Sequence, residues 1–156
     1  MTKRAYYENG ALECEATVLR CRAVENGFEI LTDVTSIFPE SGGQLSDTGF
    51  IGNSRVTHAR EEGSEVWHLC DKAVEAGAKV KIAADAGPRL DHTQQHSGEH
   101  IVSGIVHARF GYDNVGFHLG SENTTLDFNG ELSEEQLLEV ERLANEAVFA
   151  DLPVQI

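Results

Sequence analysis

Cysteine is scarce in this chain: Cys14, Cys21 and Cys70 are the three in 156 residues, and no two form a Cys-x-x-Cys pair. An odd count without that spacing argues against a disulfide framework and against a zinc ribbon, and it predicts buried thiols. Positive charge is scarce as well. Twelve Lys and Arg stand against 26 Asp and Glu, a formal net charge of −14, and there is no basic run. Nucleic-acid affinity comes largely from cations that neutralise phosphates. Strong, indiscriminate binding of nucleic acid is therefore not expected, and contact with one should be confined to an end or helped by regions outside these residues. No apolar run approaches the roughly 20 residues that span a bilayer. The first residues, Met1 to Glu8, lack the apolar core of a signal peptide. The expectation is a cytoplasmic protein without a membrane partner.

What is present reads as an ordinary globular chain, 40% apolar and 24% charged, long enough for one or two small domains. Residues 1 to about 86 are predicted to be β-structure. Runs rich in apolar and β-branched residues lie at 12–21 and 27–34, separated by the Glu25-Asn26-Gly27 turn. Further strands are expected at 49–51, 57–59, 65–69 and 79–84. Many short strands with Gly and Asn turns suggest a small barrel or sandwich. Gly87-Pro88 punctuates the chain and predicts a boundary between residues 1–87 and 88–156. Beyond it, a helix leads to strands at 116–119 and 124–128 around the turn at 120–123. Ser133-Glu134-Glu135-Gln136 has the form of a capping box opening a helix to about Ala150, with Leu137, Leu138, Glu141 and Ala144 at amphipathic spacing. Pro153 should end it, and Val154-Gln155-Ile156 reads as the start of another strand. The fold class is α+β.

The stretch that organises the chain is Arg89-Leu-Asp-His-Thr-Gln-Gln-His-Ser-Gly-Glu-His100. His92, His96 and His100 fall four residues apart, so on a helix neighbouring pairs share a face. Two neutral imidazoles one turn apart can converge on one Zn²⁺, which takes nitrogen ligands readily. Asp91 or Thr93 can cap the helix, and Ile101, Val102, Ile105, Val106 and Phe110 recur with helical spacing. His96 and His100 are the preferred metal pair, because Gly98 and Gly104 nearby leave room for a ligand. His92 can instead serve the helix start or a cleft wall, and His107 is a weaker candidate on the same face. Any one of these histidines alone would read as a surface or core residue.

A second segment, Phe38-Pro39-Glu40-Ser41-Gly42-Gly43-Gln44-Leu45-Ser46-Asp47-Thr48-Gly49, is glycine-rich. It is either a plain turn between strands or a loop whose glycines present backbone N–H groups to a ligand, with Gln44 as a two-way hydrogen-bonder.

Taken together, Phe38-Pro39-Glu40-Ser41-Gly42-Gly43-Gln44 and the downstream His92-Thr-Gln-Gln-His96-Ser-Gly-Glu-His100 resemble the AlaX proteins, free-standing relatives of the editing domain of alanyl-tRNA synthetase. Phe117-His118-Leu119-Gly120, Thr125-Leu126-Asp127 and Asp151-Leu152-Pro153-Val154 add to the match, which covers essentially the whole chain. The resemblance implies a small N-terminal β-barrel-like subdomain followed by an α/β two-layer editing subdomain. It implies hydrolysis of the ester joining a wrong amino acid, serine or glycine, to the acceptor end of tRNA for alanine. It also implies zinc, with His96 and His100 matching the family's His-x-x-x-His ligand pair, and Gly42, Gly43, Gln44 and His118 near the aminoacyl group. Family members draw two further ligands from a later Cys-x-x-x-His segment. These 156 residues contain none, so the expectation is a C-terminally incomplete piece whose parent is the enzyme.

Two rivals follow from the same residues. His96-Ser-Gly-Glu99-His100 also spells the inverted zinc-peptidase motif, with Glu99 as general base and Glu139, Glu141 or Glu146 as a further ligand. A tRNA-end-binding module without turnover is the non-enzymatic reading.

Overall fold

A computed structural model describes residues 1–8, 10–120 and 123–153. Part of the turn expected at 120–123 and the strand expected at 154–156 lie outside them. The architecture is mixed α+β, and the chain divides into two compact units, Met1–Asp91 and His92–Ile156.

The first unit is built from strands β1 (Lys3–Arg4), β2 (Glu13–Val24), β3 (Gly27–Thr32), β4 (Val34–Thr35), β5 (Gly49–Ile51), β6 (Ser54–Glu62), β7 (Glu65–Cys70) and β8 (Lys79–Ala84). Six of them form one antiparallel sheet in the order β2-β3-β7-β6-β5-β8, and β8 pairs with both β5 and β2. The six strands thus belong to one antiparallel sheet rather than to the two facing sheets of a sandwich. The interior is filled by one apolar face of each strand: Val18, Ile30, Ile51, Val56, Val66 and Ile82 are buried and pack together. Full burial of such a side chain contributes about 1.5–3 kcal/mol. One polar ring shares this interior. His68 Nδ1–H donates to the Ile30 carbonyl (3.0 Å) and Nε2 accepts from the Thr35 hydroxyl (2.8 Å). Burial pushes its pKa down to about 4, against the smaller opposing pull of the hydrogen bond to Ile30.

Helix α1 (Ala86–Phe110) starts earlier than the sequence predicts. Gly87 and Pro88 lie inside its first turn, and Asp91 and Thr93 are interior helical residues rather than caps. The reason is local: the first-turn N–H groups have no intrahelical acceptor, so proline is tolerated there instead of breaking the helix. The chain then forms β9 (Asn114–Leu119), β10 (Thr124–Phe128) and α2 (Glu134–Phe149). β9 and β10 pair antiparallel, with a bulge where Asp127 faces Gly116 but Phe128 faces Asn114. The capping box of α2 is present: the Ser133 hydroxyl accepts from the Gln136 N–H, and the Gln136 side chain accepts from the Ser133 N–H. Its buried side is centred on Val140, whereas Leu137 and Leu138 are 52% and 61% exposed. The helix ends at Phe149, before Pro153. Among the described residues no helix is long and apolar enough to cross a membrane.

Candidate metal centre

The inward stripe of α1 is unusual in its chemistry. Arg89, His92, His96, Glu99, Ser103, Val106 and Phe110 are spaced alternately three and four apart, and all are buried or half-buried. An amphipathic helix normally turns apolar residues inward at these positions. Here only Val106 and Phe110 do so, and the N-terminal two-thirds of the stripe is polar. Sites that break the local pattern in this way are the places where function is expected.

At the centre of the stripe, His96 and Glu99, together with the exposed His100 beside them, each offer a ligand atom, and these atoms lie within 4.8 Å of one another. The rings of His96 and His100 stack at 4.9 Å, and Phe117 of β9 stacks on His96 at 5.5 Å, so His96 sits between two planar groups. Glu99 is 7% exposed, and its Oε1 accepts two hydrogen bonds. Its Oε1 accepts from the Ser103 hydroxyl (2.5 Å) and from Asn114 Nδ2 (2.7 Å), while Oε2 lies 3.1 Å from His100 Nδ1. Two imidazoles and a carboxylate are a donor set that zinc accepts, so the residues fit such an ion. One turn earlier, His92 is half-buried and its Nδ1 is buried with no partner among the described residues.

The other predicted positions fall elsewhere. His107 points to solvent and pairs with Asp113 at 2.9 Å, outside the cluster. His118 is exposed. It alternates with Phe117 along β9 and so occupies the opposite face from the ring that stacks on His96. A Cβ built at Gly98 or Gly104 meets nothing within 4 Å, so both positions are open. Gly98 borders a cavity of about 370 Å³ with Thr93, Gln94, Ser97, Ile101 and Val148. Glu139 and Glu146 are held by Arg109 (3.0 Å) and Arg142 (2.6 Å). The three cysteines all lie in the first unit, where burial raises Cys70 to about 12 and also raises Cys14.

In the first unit, Gly42 and Gly43 are the two central residues of a tight turn. Ser41 and Gln44 exchange backbone hydrogen bonds of 3.1 and 3.0 Å across it. Both glycines have positive φ (59° and 81°), which a type I′ turn demands. They are exposed, while Gln44 is 6% exposed. The turn is pinned at its base by Asp47, whose carboxylate accepts from the Phe38 N–H (2.7 Å) and from Arg89. Sequence reasoning missed Asp47, Arg89, Ser103 and Asn114. Their signal was only polar character at positions where a helix or loop turns inward.

Fold and site together define a mixed α+β protein with a histidine–carboxylate cluster on one helix. No family model matches the chain. Curated relatives do. It is 33% identical over 132 residues to alanyl-tRNA editing protein Aarsd1-A of Xenopus laevis, covering 84% of this chain and 32% of that protein. It is 31% identical over 164 residues to alanyl-tRNA editing protein AlaX-L of Pyrococcus horikoshii, covering all of this chain and 41% of that protein. It is 37% identical over 164 residues to alanine–tRNA ligase of Thermofilum pendens, covering 99% of this chain and 18% of that protein. The chain is thus homologous to the alanyl-tRNA editing proteins and to alanine–tRNA ligase. It spans well under half the length of each of these relatives.

Proposed function

We propose that this chain is the editing part of an aminoacyl-tRNA deacylase. In this reading it hydrolyses the ester that joins serine or glycine to the acceptor end of tRNA for alanine, with zinc held by His96 and His100. The observation that supports it is the His96–Glu99–His100 cluster on α1, in a chain homologous to proteins named for alanyl-tRNA editing. Zinc bound there supplies a Lewis acid for the ester carbonyl. His96 and His100 present ring nitrogens one helical turn apart, and Phe117 stacks on the His96 ring. The exposed Gly42–Gly43 turn offers backbone N–H groups for the aminoacyl end, and Gln44 offers a side-chain amide; His118, on the opposite face of β9 from Phe117, is left without a role in this reading. Selection of the seryl over the alanyl ester then rests on polar groups that serine satisfies and alanine leaves unpaired.

A second ligand assignment replaces His100 by His92. It is favoured by the buried Nδ1 of His92, which has no partner among the described residues, and by the position of His92 on the same inward stripe as His96. The peptidase reading gains no such support. A general base must reach water or substrate, whereas Glu99 is 7% exposed and its Oε1 is taken by Ser103 and Asn114.

The test is hydrolysis of Ser-, Gly- and Ala-tRNA for alanine by the chain within its own open reading frame, with zinc content by elemental analysis after purification without chelator. The expected result is about one zinc, turnover of the seryl or glycyl ester over the alanyl ester, and loss of both metal and turnover in His96→Ala. Binding of the tRNA end without turnover would move the assignment to a binding module. Undiminished hydrolysis in a zinc-free protein would overturn the metal assignment.

A further inference from the structure

The β1–β4 pair lays two tyrosines against the glycine-rich segment. These strands run parallel, with Lys3 opposite Val34 and Arg4 opposite Thr35. Past β1, residues 5–7 make a single 3-10 turn, closed by the Glu8 N–H donating to the Ala5 carbonyl at 2.8 Å. Past β4, the chain runs through Ser36 and Ile37 to Phe38, and the register brings Tyr6 alongside it. The two rings meet edge to face at 5.2 Å, and Tyr6 meets Tyr7 in the same way at 4.7 Å. Phe38 is itself fixed, since its N–H donates to the buried Asp47 carboxylate at 2.7 Å. Tyr6 is 6% exposed and forms the support, whereas Tyr7 beside it is 73% exposed. Edge-to-face contact is a favoured geometry for aromatic pairs, so Tyr7 is held in place while most of its surface stays in water.

A supported ring exposed to water is a means of gripping unpaired nucleotides, because every base has a π-face to stack on it. The charge of the chain favours this means over the usual one. Its formal net charge is −14, and in the first unit Arg4, Arg22, Arg55, Arg60 and Arg89 are each paired with a carboxylate. Phosphate neutralisation, the main source of nucleic-acid affinity, therefore has little to draw on. Stacking needs no cation. We propose that Tyr7 is a stacking platform for an unpaired nucleobase at the acceptor end of a tRNA, beside the glycine-rich segment. This rests on the deacylase reading, in which the Gly42–Gly43 turn receives the aminoacyl group and so brings the single-stranded end to this part of the chain.

The test is a thermodynamic cycle on the full-length protein, using deacylated tRNA for alanine and the same tRNA trimmed of its unpaired 3′ nucleotides. Tyr7→Ala should weaken binding of the intact tRNA about 5–150-fold, the range of one base–aromatic stack. It should leave binding of the trimmed tRNA unchanged. The loss should be equal at low and high salt, since stacking releases no counterions. Tyr7→Trp should keep the affinity, and its emission, read against wild type with its buried Trp67, should be quenched by the intact tRNA only. In turnover of the seryl or glycyl ester, Tyr7→Ala should raise KM and spare kcat, as loss of uniform binding does. Equal weakening of intact and trimmed tRNA, or weakening of neither, would overturn the proposal, as would an unquenched Tyr7→Trp. Coupling in the cycle without hydrolysis by the wild type would remove the deacylase reading and keep the platform. Hydrolysis with KM unchanged in Tyr7→Ala would do the reverse, and a wild type that binds neither tRNA would end both.

Discussion

The guanidinium of Arg89 closes on the carboxylate of Asp47, tying the first turn of α1 to the base of the Gly42–Gly43 loop. Arg89 Nε lies 3.1 and 2.9 Å from the two oxygens, its second nitrogen also meets Oδ2, and that nitrogen donates to the Ser36 carbonyl at 2.7 Å. Asp47 is fully buried, and the Arg89 side chain is nearly so. Breaking a buried pair by removing one partner costs about 3–5 kcal/mol, because the other charge is left uncompensated. Arg89→Leu should therefore lower unfolding free energy by about that amount, measured by urea titration. Arg89→Leu combined with Asp47→Leu should cost clearly less than the sum of the two single changes.

The turn itself makes a sharper prediction. Gly43 has φ 81° and Gly42 has φ 59°, and a left-handed backbone costs an L-residue roughly 1–2 kcal/mol. Gly43→Ala should destabilise by about that amount. Gly42→Asn should cost less, since asparagine tolerates this region. Equal costs for Ala and Asn at both positions would contradict the turn geometry.

His68 predicts a pH dependence. Its folded pKa, about 4, lies below the ordinary value of 6.5 because burial disfavours the charged ring. The unfolded chain therefore takes up a proton before the folded one does. Stability is fully present above pH 6.5 and is lost as pH falls from there towards 4, with a limiting slope of about 1.4 kcal/mol per pH unit. Urea unfolding at pH 7, 6 and 5 should show this decline. His68→Gln, which retains a donor and an acceptor but cannot titrate, should flatten it.

Metal binding should be visible as stability. A ligand at 100 times its Kd adds about 2.7 kcal/mol, so zinc should raise the thermal midpoint of the wild type and leave His96→Ala unmoved. His92→Ala and His100→Ala separate the two ligand assignments: the variant that loses the zinc shift carries the second ligand.

Much was legible in the sequence because it is local. A strand is written as alternation over a few residues, a capping box as four consecutive ones, and the i, i+4 histidine pair as one helical turn. The strands β5, β8 and β10 and the start of α2 follow from such patterns, as does the pairing of the His96 and His100 rings. The helix start was misread because proline breaks a helix interior but not its first turn, and nothing in Gly87-Pro88 says which applies. The inward side of α2 was misplaced because Leu137, Leu138 and Val140 are equally apolar in sequence, and only packing selects Val140.

By itself, then, the sequence determined the element types, the mixed α+β class, the glycine turn and the histidine-bearing helix, since each depends on neighbours within a few residues. Tertiary structure decided how those elements are completed. The return of β8 to β2, the capture of Asp47 by Arg89 and the hydrogen bond from Asn114 to Glu99 join residues 15 to 70 positions apart. Which distant polar groups meet is set by sheet register and helix phase, and a single-residue shift in either would place the same side chains on opposite faces.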